Sequence, residues 1–113
     1  MPSIFQRDDD GLIAEHDPGA RLDYAIPTWI EGETFSSVMW SIVGAGSPGP
    51  LLEDDQINSV AVTKGGIEYA IGELASVFVS GVAEGDTVVV TCRGTFSGGQ
   101  VDERSFRLFG VQR

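Results

Sequence analysis

From Arg21 onward, apolar side chains recur at every second position in short runs, and Gly, Pro and Asp clusters separate the runs. Period two is the repeat of a strand with one buried face, so the pattern predicts an all-β domain. Leu22, Tyr24 and Ile26 alternate with Asp23 and Ala25 in a first strand that Pro27 ends. The stretch from Pro27 to Glu33 reads as a tight turn or one helical turn, with Trp29 over an edge of the core. Thr34 to Val43 follows as a second strand, Val38, Trp40 and Ile42 on one face and Ser37, Met39 and Ser41 on the other. Ile57 to Thr63 is the next β segment, and Gly65-Gly66 turns the chain into Ile67 to Ile71. In Leu74 to Ser80, Val77 and Val79 oppose Phe78. Thr87 to Arg93 is the strongest strand by β-branched content, with Val88, Val90 and Cys92 inward. Ser97-Gly98-Gly99-Gln100 makes a hairpin turn into Val101 to Val111, where Phe106 and Leu108 point inward. Helical spacing is lacking except in Ile67 to Val77, where Gly72 opposes a helix. The expected architecture is a β-sandwich of six to eight antiparallel strands over residues 21–113.

Two segments fall outside this pattern. Residues 1–20 carry Asp8-Asp9-Asp10-Gly11 and Asp17-Pro18-Gly19, which interrupt regular structure, and they read as an extended N-terminal arm. The arm also holds two apolar pairs, Ile4-Phe5 and Leu12-Ile13, which a solvating tail does not need. Twenty extended residues span roughly 65 Å, enough to cross a neighbouring subunit, although an arm folded back on its own domain fits the sequence equally well. The second segment, Gly44 through Asp55, opens with Gly-Ala-Gly-Ser-Pro-Gly-Pro and reads as one long loop containing Leu51 and Leu52. Ile4, Phe5, Leu12, Ile13, Leu51 and Leu52 are therefore the candidate partner-binding residues.

Composition narrows the function classes. A chain of 113 residues builds a single hydrophobic core. Its net charge of −10, with only seven Lys and Arg scattered along it, opposes nucleic-acid binding, because phosphate contacts need clustered cations. No apolar run is long enough to span a membrane, and the start lacks the basic-then-apolar order of a leader. One cysteine, Cys92, makes no internal disulfide and fits synthesis and assembly in a reducing cytosol.

Chemistry is sparse. His16 is the sole histidine and lies in the arm, and Cys92 alternates with valines in a strand interior, so neither makes a nucleophile–base pair. Asp8-Asp9-Asp10 and Glu53-Asp54-Asp55 lack the calcium-loop form, since Gly19 stands where the loop's closing Glu belongs. No phosphate-binding glycine motif is present. The expectation is a chain without catalytic residues, metal or cofactor.

Three stretches together resemble a family of small tailed-bacteriophage structural proteins, the fiber-tail adaptors. They are Leu22-Asp23-Tyr24 with Trp29-Ile30-Glu31-Gly32-Glu33-Thr34 and Ser36 to Ser41, then Val77 to Gly81 with Gly85-Asp86-Thr87, and lastly Asp102 to Leu108. The resemblance implies an immunoglobulin-like β-sandwich in the virion that joins tail to fiber or spike through contacts with other virion proteins. It also implies repeated copies in a ring or lattice, with arm or long loop gripping the neighbour. Two alternatives stand beside it: a capsid decoration protein, and a carbohydrate-binding module in which Trp29 or Phe78 stacks on sugar faces.

Overall fold

The computed structural model describes residues 6–8, 11–16, 20–44 and 51–111, with side chains for 20–44 and 52–111. Ten strands lie among the described residues: β1 (Gln6–Asp8), β2 (Gly11–His16), β3 (Leu22–Pro27), β4 (Phe35–Val43), β5 (Leu51–Ile57), β6 (Val62–Lys64), β7 (Ile67–Tyr69), β8 (Leu74–Ser80), β9 (Thr87–Phe96) and β10 (Val101–Gly110). A five-stranded sheet has the order β1-β2-β10-β9-β4, a three-stranded sheet has the order β3-β8-β5, and β6 and β7 form a separate hairpin. The strand number exceeds the six to eight expected because β5, β6 and β7 are distinct short strands and the first twenty residues contribute two more.

The two larger sheets pack face to face, and their inner rows follow from the period-two pattern. Tyr24, Val77, Val79, Val82, Val88, Val90, Phe106 and Leu108 form one buried cluster. Phe35, Ala75, Cys92 and Phe96 form a second, and Ile26 and Trp40 pack against both. Register carries each row across its sheet: Ile42, Val90 and Phe106 align in one, while Leu22, Val79 and Leu52 align in the other. Full burial of each of these side chains stabilises the fold by about 1.5–3 kcal/mol before entropy is counted. The hairpin between β9 and β10 turns where expected, with Gly99 at φ 92° and its N–H donating to the Phe96 carbonyl at 2.8 Å.

One local expectation resolves between its alternatives and three need correction. Pro27 to Glu33 takes the tight turn and not the helical one: the Glu33 N–H donates to the Ile30 carbonyl at 3.1 Å with Gly32 at φ 79°, and the Thr28 N–H to the Glu73 carbonyl at 3.0 Å. Leu51 to Asp55 is not loop but the start of β5, which pairs with β8. Its alternation is hidden because the ladder shifts between Glu53 and Gln56, where Asp54 adopts φ 52°. Ile57 to Thr63 is not one strand, since β5 ends at Ile57 and β6 begins at Val62. The Asn58 amide takes over between them: Nδ2 donates to the Val60 and Ala70 carbonyls at 2.9 and 2.8 Å, and Oδ1 accepts from the Leu74 N–H at 3.0 Å. Finally, not every pairing is antiparallel, because β2 runs parallel to β10 from Ile13 opposite Arg107 to His16 opposite Gly110.

Candidate docking surface

The six candidate partner-binding residues scatter. Ile4 and Phe5 lie outside the described residues. Leu12 and Ile13 sit on β2, whose backbone is paired on both sides, with Leu12 opposite Arg7 and Ile13 opposite Gln6 and Arg107. Leu51 stands opposite Ser80 and Leu52 opposite Val79 on β5. Leu52 is half-buried and packs on the larger core cluster, so its side chain is already engaged within the domain.

The outer face of the three-stranded sheet is closed by its own charges. Arg21 lies 4.0 Å from the Phe78 ring centre, donates to Glu53 at 3.3 Å and pairs with Asp54. Register explains the meeting, because Phe78 sits between Asp23 on β3 and Glu53 on β5. Lys64 reaches from the β6–β7 hairpin to Asp23 at 2.8 Å and anchors that hairpin. Burial raises the Asp23 carboxyl, but the hydrogen bond and charge of Lys64 outweigh it and hold the group below its ordinary value.

Trp29 is likewise committed. Its ring meets Phe35 and Phe96 edge-on at centroid distances of 5.8 and 5.0 Å. Its Nε1–H donates to Asp102 Oδ2 at 3.0 Å, and the Arg104 guanidinium lies 5.6 Å over the ring. The Trp29 bond, followed by the Glu103 N–H, holds the Asp102 carboxyl below its ordinary value. Both aromatic rings singled out for sugar stacking thus already carry a guanidinium.

The outer face of the five-stranded sheet is different. Register places Val43 beside Val89, Ser37 beside Thr95 and Val101, and Ser41 beside Thr91 and Ser105. Met39 and Val43 are 70% and 73% exposed, and Val101 and Phe109 also reach solvent. Charge enters this face as the Arg93–Glu103 pair at 3.1 Å, next to a Thr91–Ser105 hydroxyl bond at 2.8 Å, and by register as Arg107 beside Val89 and Glu15 beside Phe109. This mixed apolar and hydroxyl surface suits contact with another protein.

Burial pushes the Cys92 thiol up to about 12, so it stays protonated at neutral pH. Among the described residues, no three His, Cys, Asp or Glu side chains group as a metal site.

Residues 16–109 match the model of a family described as Gp77, podophage GP4 fiber-tail adaptor protein gp77. No curated protein and no solved structure matches the chain.

Proposed function

Because the chain belongs to the podophage GP4 fiber-tail adaptor family, we propose that it joins the tail to a tail fiber or spike, acting as a noncatalytic virion component through protein–protein contacts. The family match over residues 16–109 is the observation that carries this reading. The geometry is consistent with it, since the outer face of the five-stranded sheet exposes Met39, Val43, Val101 and Phe109 among hydroxyl side chains. We further read the sandwich as immunoglobulin-like. The orders β3-β8-β5 and β10-β9-β4 correspond to the B-E-D and G-F-C orders of that fold. Trp40 on β4 stands opposite Cys92 on β9, the places of the core tryptophan and the second cysteine of an antibody domain. On β3, Ile26 packs on the cluster that holds Cys92, and the Tyr24 ring lies 5.6 Å from Phe106 in the other cluster.

In this role the protein is assembled in the host cytoplasm and present in repeated copies around the tail axis. Quantitative mass spectrometry of purified virions tests the reading: the chain should appear at one fixed copy number per particle. Particles made without it should have stable heads and lack fibers. Absence of the chain from virions refutes the proposal, and fragile heads with fibers retained would make it a capsid decoration protein instead.

A further inference from the structure

Open sheets leave unpaired backbone groups along their edges, and soluble proteins guard those edges with charge, proline or irregular geometry. Three edge strands here follow that rule. β1 carries Arg7 and Asp8, β3 carries Asp23 and Pro27, and β5 carries Glu53, Asp54 and Asp55 with a break in register at Asp54. β4 does not. Its nine residues, Phe-Ser-Ser-Val-Met-Trp-Ser-Ile-Val, contain no charge, no proline and no glycine, in a chain that is 21% charged. Among the described residues β4 pairs only with β9, and from Ser37 to Val43 its register is regular. It is a long, uncharged edge flanked on its outer side by exposed Met39 and Val43.

We propose that the β4 edge is the docking site for an extended, lysine- or arginine-bearing segment of a different protein, which adds as a further strand to the five-stranded sheet. This deepens the adaptor reading and rests on it. Main-chain hydrogen bonds supply the affinity in such strand addition, and flanking side chains set the choice of partner. Here the flank is acidic. β5 lies across the sandwich from β4, as Ile57 packs on the cluster holding Phe35 and Val38, and Leu52 on the one joined by Trp40 and Ile42. Glu53 and Asp54 lean over Phe78 to Arg21 on the far face of the three-stranded sheet, which leaves the exposed Asp55 as the β5 carboxylate that Arg21 does not engage, in a chain of net charge −10. A second copy paired β4 to β4 would bring its own net charge of −10 against this one. A basic partner segment gains where a second copy is repelled.

The test uses the full-length protein and two capped octapeptides, one alternating valine with lysine and threonine, the other with glutamate in place of lysine. Hydrogen exchange is followed by NMR at millimolar peptide. The lysine peptide should slow amide exchange within residues 37–43 by at least roughly tenfold, whereas the glutamate peptide should leave it unchanged. Reversing the flank with Asp55→Lys should weaken the lysine peptide by roughly two- to fivefold and strengthen the glutamate peptide, as an exposed ion pair allows. Met39→Lys, at an exposed outward position, should fold normally and weaken the lysine peptide without moving protection elsewhere. No protection on β4, protection on β1, β3 or β5 instead, or equal binding of both peptides overturns the proposal. So does a concentration-dependent dimer in sedimentation equilibrium that Met39→Lys abolishes, since the occupant is then a second copy. Virion copy number is independent of these readouts, so failure at β4 leaves the adaptor role standing, and absence from virions would remove that role whatever β4 binds.

Discussion

Leu108 and Phe109 are neighbours on β10 whose side chains point in opposite directions, and their fates on truncation should differ accordingly. Leu108 is fully buried in the larger core cluster, whereas Phe109 is 37% exposed on the outer face. Leu108→Ala should cost about 2–5 kcal/mol by lost transfer energy and an unfilled cavity. Phe109→Ala should cost less, about 1–2 kcal/mol, because over a third of its ring already meets solvent. Urea titration of both variants checks the pair, and equal costs would contradict the assigned faces. Gly94 gives a tighter reading of the same core. A Cβ there would sit 3.0 Å from Phe35 Cε1 and 3.3 Å from Phe96 Cε2, between two rings that stack at 5.2 Å. Gly94→Ala should therefore destabilise by about 1–3 kcal/mol through overpacking.

At the scale of elements, the β6–β7 hairpin is held by polar contacts. The Asn58 amide binds both of its flanks and Lys64 ties it to Asp23. Asn58→Ala leaves the Leu74 N–H and the Val60 carbonyl unanswered, while the Ala70 carbonyl keeps the Glu73 N–H, and should cost about 1–3 kcal/mol. Hydrogen exchange in residues 62–69 should rise first. The Asp23–Lys64 pair adds a pH term with a definite sign. The folded Asp23 carboxyl lies below its unfolded value, so its contribution is complete above the ordinary carboxylate value of 3.8 and lost as pH falls through the lower folded value. Asp23→Asn should flatten stability against pH in that acid window, and leave the slope near neutrality unchanged.

The same elements show what was legible in the sequence. Val88, Val90 and Cys92 are all 0% exposed, because a strand packed on one face writes its burial into alternate letters. Trp29 was placed at the core's edge for a similar local reason. β5 was illegible, because its three carboxylates face outward on an edge and the break at Asp54 destroys the alternation that would reveal it. The role of Asn58 was hidden too, since it bonds Ala70 and Leu74, twelve and sixteen residues on. Pattern also carries no direction, so the parallel seat of β2 on β10 could not be read from it. The docking surface suffered most. Sequence reasoning looked for apolar pairs in irregular segments, whereas the structural signal is β4's lack of charge, which gains meaning only once β4 is known to be an edge.

For the whole molecule, the decisive question is whether the two buried clusters unfold together. Ile26 and Trp40 belong to the surroundings of both, and β8 and β9 each contribute buried residues to the two, Val77 with Ala75 and Val90 with Cys92. A strand cannot leave one cluster without disturbing the other, so the domain should behave as one cooperative unit. Cys92 offers a direct probe, because its thiol is fully buried in the smaller cluster and pushed up to about 12. In the native state at pH 8 it should resist iodoacetamide, and react only through global opening. Its labelling free energy should then match that from tryptophan fluorescence in urea, and both should match amide exchange at Val90 in the larger cluster. Leu108→Ala, placed in the larger cluster, should accelerate Cys92 labelling by the full factor its stability loss dictates, about thirtyfold or more for 2 kcal/mol. If labelling of Cys92 were indifferent to Leu108, the two clusters would open separately, and the sandwich would be two loosely coupled halves.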